Sequence, residues 1–408
     1  MMGLLHDEVH RTSMLDPLSN ALFPSDDSPA GIYIHVPFCK SRCRYCGFVS
    51  TIHDLALEEA YVSAVIREIA LWRSGASGSM LDNVTVDSIY FGGGDPSVLL
   101  LRSISEILEE CFSSFPVTST PEITLEINPA SRSDMDLRAL LRAGVDRVSL
   151  GIQSLENAVL RLMGRRHTAE DALKMFRELR SSGFENISVD IMAGFPGQSR
   201  ESVSRTTKEL LSLGPDHLSL YLLEVKAGTA LEAALIKGDI ETPDDDLQAD
   251  MYEDVRELAE LAGYEQYEIA NYARGGRFSR HNMKYWSDKV YLGLGPGAHG
   301  MTGRHRYAHV PDVREYCAAT AQGDLPFESI QVLTPAGRLK DALIMGLRLV
   351  RGVNLRELSL RYSVDARRFV METIGDLEPA GLYHYDGDTI ALSERGRLLS
   401  NIVFSRWV

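Results

Sequence analysis

The chain has 408 residues, beyond the size at which a single hydrophobic core usually stops growing, so a large domain with a smaller companion is expected and a lone small binding module is excluded. With 44% apolar and 24% charged residues it has the make-up of an ordinary globular protein, which excludes global disorder. Lys and Arg total 42 against 57 Asp and Glu, and the formal net charge of −15 repels a phosphate backbone, so nucleic acid is not expected as a partner.

Residues 1–30 are rich in Asp, Ser and Pro without a sustained period and read as a mobile leader. No stretch approaches the roughly 18 apolar residues of a membrane span, and His6, Asp7 and Glu8 interrupt the one short apolar run near the start. Neither a transmembrane segment nor a signal peptide is expected, and the chain reads as cytoplasmic.

From Gly31 onward, short apolar strands alternate with helical stretches. GIYIHV, VDSIYF, EITLEI, DRVSLGI, NISVDIM and HLSLYLL are the strands, and LEEAYVSAVIREIALW and AEDALKMFRELRSSG carry the helical apolar stripe. The βα repeat over 31–240 calls for a parallel sheet with right-handed crossovers, either doubly wound or curved into a full or partial barrel. In both, ligands gather at the carboxyl ends of the strands. Residues 241–334 read as a connecting helix followed by an irregular Gly- and His-rich stretch. The tail, 335–408, combines helices with a hairpin-like YHYDGDTIAL and resembles a winged-helix module.

Three of the five cysteines, Cys39, Cys43 and Cys46, follow directly on the first strand, where a tight loop turns three thiols toward one point. Such clustering points to a reduced compartment and a metal site. Zinc completed by His35 is one option, although zinc motifs ordinarily use paired elements. Unconnected buried cysteines are a second option and an iron-sulfur cluster the third, in which Phe48 stands where a fourth cysteine is wanted and one iron is left open.

The second strand runs into FGGGDPS, in which Gly92, Gly93 and Gly94 let the backbone approach a ligand and present amides to it, or else simply make a tight turn. Glu126, Gln153, Asp190 and Glu224 each place a polar group at or just beyond the end of an apolar strand. Four such residues at corresponding ends point to one shared site, the alternative being separately satisfied structural groups.

The spacing CxxxCxxC after YIHVPFC, with GGG, LGIQS, GRRH, SVDIMAGFPGQ, HNMKYW and LGLGPGAHG, resembles the radical S-adenosylmethionine (SAM) family over roughly residues 31–400. The resemblance implies a partial (β/α)6 barrel with a C-terminal winged-helix-like domain. It also implies a 4Fe-4S cluster on Cys39, Cys43 and Cys46 whose open iron takes SAM. Gly92, Gly93, Gly94, Glu126, Gln153, Asp190 and Glu224, with Tyr33, Tyr45, Arg165 and His299, are then the SAM-binding set. Asp95 stands where the family has Thr, which sets a carboxylate beside the amine or the cluster.

Two branches are near. Oxygen-independent coproporphyrinogen III oxidases continue CxxxCxxCxC, whereas Gly47 and Phe48 follow Cys46 here, as in the HemW-type heme chaperones, whose HNxxYW motif HNMKYW matches. That branch implies heme as a further ligand, an acceptor protein that receives it, and His281, Asn282, Tyr285 and Trp286 as heme-binding residues. Physically, a neutral imidazole in an irregular segment can ligate iron and the aromatics can pack a porphyrin; alternatively His281 bonds the backbone and the aromatics fill a core between domains. SAM cleavage and association with a second copy of the chain are left open.

Overall fold

The computed structural model describes residues 28–74, 84–131, 135–303 and 305–408, so nearly all of the leader expected at 1–30 lies outside the described residues. The six strands read from the sequence are β1 (Ala30–Val36), β2 (Val86–Gly93), β3 (Val117–Ile127), β4 (Arg147–Gln153), β5 (Asn186–Ala193) and β6 (His217–Leu222). They lie side by side in that order, every pair parallel, which is the sequence of a barrel wall built by successive βα units and not the reversed order of a doubly wound sheet.

Helices α1 (Leu55–Ser74), α2 (Leu101–Ser114), α3 (Leu137–Arg142), α4 (Ala169–Ser182) and α5 (Arg200–Ser212) make the crossovers. Their ends are set locally: Thr168 with Asp171 and Ser199 with Ser202 form reciprocal caps that satisfy the first free amides of α4 and α5. One face of each strand feeds the main core, as with Val148, Leu150 and Ile152 of β4, which pack beneath the helices. The alternate face, Arg147, Ser149, Gly151 and Gln153 on the same strand, looks into the barrel and is polar.

Residues 241–334 are far more regular than expected. After α6 (Asp245–Leu261) come β7 (Glu265–Gln266), β8 (Asn271–Ala273), β9 (Tyr291–Leu294), β10 (His299–Thr302), β11 (His305–His309) and β12 (Phe327–Val332). All six join the barrel sheet, whose full order is β12-β11-β10-β9-β1-β2-β3-β4-β5-β6-β8-β7. A helix, α7 (Arg280–Trp286), crosses the lower end of the barrel between the two added edges.

The turn after β9 is fastened to α1 through Glu68, a wholly buried carboxyl that accepts from Tyr316 Oη (2.5 Å), the Gly295 amide (3.0 Å) and Trp72 Nε1 (3.3 Å). Gly295 has φ +96, and a Cβ there would stand 2.5 Å from the His35 carbonyl, so only glycine permits this approach of the turn to β1.

The tail has its own core around Leu343, Leu347, Val370, Ile390 and Trp407. Three helices, Pro335–Gly346, Leu355–Tyr362 and Ala366–Ile374, stand against a three-stranded sheet of Val353–Asn354, Thr389–Leu392 and Tyr383–Tyr385, which is the winged-helix arrangement expected. Among the described residues no helix is long and apolar enough to cross a membrane.

Candidate functional site

The cysteine loop is pinned at its base. Phe38–Cys39 pairs in parallel with Thr51–Ile52, the Thr51 amide donates to the Pro37 carbonyl (2.6 Å) and the His53 amide to that of Cys39 (3.0 Å). The His35 imidazole, buried in β1 and kept neutral by that burial, reaches the Val49 carbonyl (2.9 Å) and Tyr33 Oη (3.1 Å). With both nitrogens engaged it cannot complete a zinc site, and among the described residues no group of three or more His, Cys, Asp or Glu is arranged to hold a single metal ion.

The amides of the glycine turn bond within the protein and shape this loop. The Gly94 amide donates to the Val36 carbonyl (2.8 Å), that of Asp95 to Phe38 (2.7 Å), and that of Gly93 to Glu126 Oε2 (3.3 Å). Gly93 has φ +110, and a Cβ there would lie 2.6 Å from the His35 ring; a Cβ on Gly94 would reach 3.1 Å from Cys39 Sγ. The glycines make room for close packing beneath the thiols. Asp95 is buried and its carboxylate accepts from the hydroxyls of Ser97 and Ser131, so it braces the turn.

Above the strands opens a cavity of about 620 Å³. Cys39, Cys43, Cys46 and Tyr45 line it from the loop, Gly93, Gly94 and Asp95 from the turn, and Glu126, Gln153, Arg165, Asp190 and Glu224 from the strand ends and beyond. Tyr33, Gly92 and His299 are not on its wall: Tyr33 supports His35 from below, Gly92 packs against Tyr33 and Tyr90, and His299 is exposed on β10. Burial pushes the Cys39 thiol up to about 12, with the nearby charges of Asp95, Cys46 and Cys43 adding to the effect.

Each strand-end residue has an identifiable setting. Glu126 accepts from Tyr90 Oη (2.8 Å), and burial raises it to about 7. Asp190 accepts from Ser149 Oγ (3.1 Å) and is likewise raised by burial. Arg165 donates to the Gly151 carbonyl and sits 3.8 Å from Cys43 Sγ, while its Nε has no partner. Gln153 takes the left-handed backbone conformation (φ 69) and leaves Oε1 buried without a partner. A backbone in the left-handed region and an unpartnered, buried amide oxygen on the cavity wall suit a residue that binds a ligand. Glu224 stands on the exposed rim, paired with Lys226 at 2.6 Å.

Sequence reading missed Tyr90, Ser149, Ser219 and Tyr221, which hold or adjoin the carboxylates. Their signal was available: each lies on the inward face set by strand alternation.

HNMKYW lies at the other end of the barrel, on α7 and not in an irregular segment. His281 is completely buried, with Nδ1 3.2 Å from Ser88 Oγ and Nε2 2.8 Å from Tyr285 Oη, and its amide donates to Glu122 (3.2 Å). Burial, aided by Lys284 and Arg147, lowers it to about 3, so the ring is neutral. Its ring partners are side chains, Ser88 of the barrel lumen and Tyr285 of α7 itself, not backbone. Asn282 takes part in the helix cap at Ser279, and Trp286 carries the Arg348 guanidinium of the tail 4.7 Å above its ring. The structure therefore brings the cysteines and strand ends together and keeps the HNMKYW residues apart from them.

A family model described as the radical SAM superfamily matches residues 33–210, and one described as the HemN C-terminal domain matches 333–399. Heme chaperone HemW of Bacillus subtilis is 32% identical over 377 residues, covering 92% of this chain and 98% of its own. Heme chaperone HemW of Mycobacterium tuberculosis is 33% identical over 386 residues, with 94% and 95% covered. The mitochondrial radical S-adenosyl methionine domain-containing protein 1 of Mus musculus is 36% identical over 353 residues, with 86% and 76% covered. Among solved structures, coproporphyrinogen III oxidase HemN from Escherichia coli superposes with a TM-score of 0.81 at 20% identity, covering 97% of this chain and 93% of its own, a likeness of fold. With relatives this similar along almost its whole length, the chain belongs to the HemW heme-chaperone family of radical SAM proteins.

Proposed function

We propose that the chain binds a 4Fe-4S cluster, SAM and heme, and hands heme to an acceptor protein. The observation that carries the first half is the upper cavity, where three thiols, a neutral clasp at His35 and four polar strand-end residues converge. Cys39, Cys43 and Cys46 would hold the cluster, and its chemistry when bound is one-electron reduction of the SAM sulfonium. The chain's own groups divide the remaining work. Glu126 and Asp190 accept hydrogen bonds from ribose hydroxyls or the ammonium, Gln153 offers its free amide oxygen to the adenosine, and Arg165 meets the carboxylate and shields Cys43.

Heme binding is supported by the relatives' names and by HNMKYW, with His281, Asn282, Tyr285 and Trp286 as its residues. In this assignment residues 31–240 carry cluster and SAM, 241–334 carry the heme motif, 335–408 form the tail, and the protein works in the cytoplasm. Coproporphyrinogen oxidation is disfavoured by Gly47-Phe48 after Cys46. Anaerobic reconstitution followed by separate titrations with SAM, heme and coproporphyrinogen III tests the proposal. Binding of SAM and heme without decarboxylation is the expected result; conversion of coproporphyrinogen III with SAM consumption would replace the chaperone with the oxidase.

A further inference from the structure

We infer that the face of the barrel around the cysteine loop docks an acidic one-electron carrier protein, steered there by five exposed cations gathered about the thiols. This rests on the 4Fe-4S cluster proposed above and names the kind of partner that would serve it. Lys40, Arg42 and Arg44 stand beside Cys39 and Cys43 in the loop, and Arg161 and Arg166 come from the helix Asn157–Met163 and the residues that follow it. The two groups are packed together. The Arg44 amide donates to the Met163 carbonyl (3.0 Å), and its side chain crosses Gly164, where a Cβ would lie 3.2 Å from Arg44 Cγ. Lys40, Arg42 and Arg166 border the upper cavity together with the three thiols.

All five are exposed, and among the described residues none has a carboxylate within ion-pair distance. The acids of the cavity do not answer them from outside: Asp95, Glu126 and Asp190 are held within it by Ser131, Tyr90 and Ser149, and Glu224 on the rim is paired with Lys226 (2.6 Å). On a chain of net charge −15, unpaired cations collected around one loop concentrate a positive field there. Beside them the surface is apolar. Phe48 follows Cys46 by two residues, Ile52 pairs in register with Cys39, and Leu55 opens α1, all three exposed. Apolar side chains bordered by charge of one sign are the make-up of a transient interface with a partner of the opposite sign.

The occupant follows from the chemistry of the loop. A cluster on these cysteines needs an electron from outside, because Cys111 and Cys317 stand singly on their helices and the described residues offer no second metal centre to relay one. The three thiols are half-buried, so a carrier seated on Phe48 and Ile52 comes against the very loop that holds them. One electron then passes from the carrier, which is oxidised, to the cluster, which is reduced. No bond is made or broken and no proton moves. An acidic surface on the carrier is drawn by the five cations, and it leaves readily because exposed charge pairs are weak and screened by salt. Nucleic acid or an anionic membrane would call for a basic surface extended along the molecule, whereas here the cations gather at a single opening.

The test mixes the full, cluster-loaded chain in stopped flow with reduced flavodoxin, an acidic carrier, and separately with the methyl viologen radical cation, following oxidation of each reductant by its absorbance. The wild type is compared with an Arg44→Glu, Arg161→Glu double variant, whose side chains are not on the cavity wall. For the wild type, the flavodoxin rate should fall as salt is raised and the viologen rate should not. At low salt the double variant should be about tenfold slower than the wild type with flavodoxin and at least as fast with viologen, since a cation is repelled where an anion is drawn. A flavodoxin rate indifferent to salt and to the substitutions overturns the docking face, and so does a wild type that viologen reduces and flavodoxin does not. Binding of RNA or of phosphatidylglycerol vesicles that the double variant loses, with its flavodoxin rate unchanged, would give the face to a polyanion instead. A wild type that takes up no cluster at all overturns the proposed function itself.

Discussion

Replacing Glu68 by Gln should flatten the dependence of barrel stability on pH. Glu68 is fully buried, and loss of hydration raises its carboxyl from 4.5 to about 7 despite the donors Tyr316, Gly295 and Trp72. Below pH 4.5 the group is protonated in both folded and unfolded chains, and its contribution is complete. As pH climbs toward 7 the unfolded chain releases the proton first, so stability falls across that window. At about 1.4 kcal/mol per unit, the loss due to this one group is about 3 kcal/mol. Glu122, Glu126, Asp190, Glu268 and Asp288 are raised by burial as well, so the wild type will slope more steeply than one carboxyl explains. The informative quantity is the difference between the two proteins. Urea unfolding of the barrel transition, run on cluster-free protein at both ends of the window, should show the wild type losing about 3 kcal/mol more than Glu68→Gln. Parallel curves for the two would mean that three hydrogen-bond donors outweigh desolvation at this site, and the account of Glu68 as a protonated tie would be wrong.

The remaining predictions concern the upper site and the ion pairs of Asp288. Ser in place of Cys39, Cys43 or Cys46 should each abolish the roughly four iron and four sulfide expected per chain, whereas Cys111→Ser and Cys317→Ser should retain them, as read by iron and sulfide analysis. Gln153→Ala and Asp190→Asn should each weaken SAM binding about tenfold in calorimetric titration of cluster-loaded protein, with iron content unchanged. Gly93→Ala should destabilise the fold by at least about 2 kcal/mol, because its Cβ meets the His35 ring at 2.6 Å in a left-handed conformation; a thermal shift of less than a degree would contradict the packing described. Buried Asp288 accepts from Arg338 (2.8 Å), and Asp288→Ala should cost about 3 kcal/mol by leaving the Arg338 guanidinium buried without its partner, measurable as an earlier unfolding of the tail.

The parallel wall of the barrel was legible because each strand brings its core-facing apolar residues together in a short run, and helices with a clear apolar stripe lie between the runs. The polar residues closing those runs led directly to Glu126, Gln153 and Asp190. What stayed hidden were β7–β12, which are two to six residues long and carry His, Arg and Gly where an apolar run was sought. They are strands because the open edges of the sheet recruit them, a tertiary cause that no local pattern announces. The same holds for α7: seven residues give too few turns for a period, and the helix persists because Ser279 caps it and the lumen encloses His281. The amides of the GGG turn could not be assigned from sequence either, since their acceptors, Val36 and Phe38, come from another βα unit.

The manner in which the cysteine loop is tied down bears on how the protein ages. Its shape is held through Pro37 to Thr51, Cys39 to His53, Phe38 to Asp95 and Val49 to His35, and none of these bonds passes through a sulfur. Small zinc domains unfold when their metal leaves, because metal binding and folding are one event. With the cluster proposed for Cys39, Cys43 and Cys46, loss of iron would leave a shaped socket on an intact barrel. Damage by oxygen would then end the life of the cluster without ending that of the polypeptide, and a fresh supply of iron and sulfide would restore it without another round of folding.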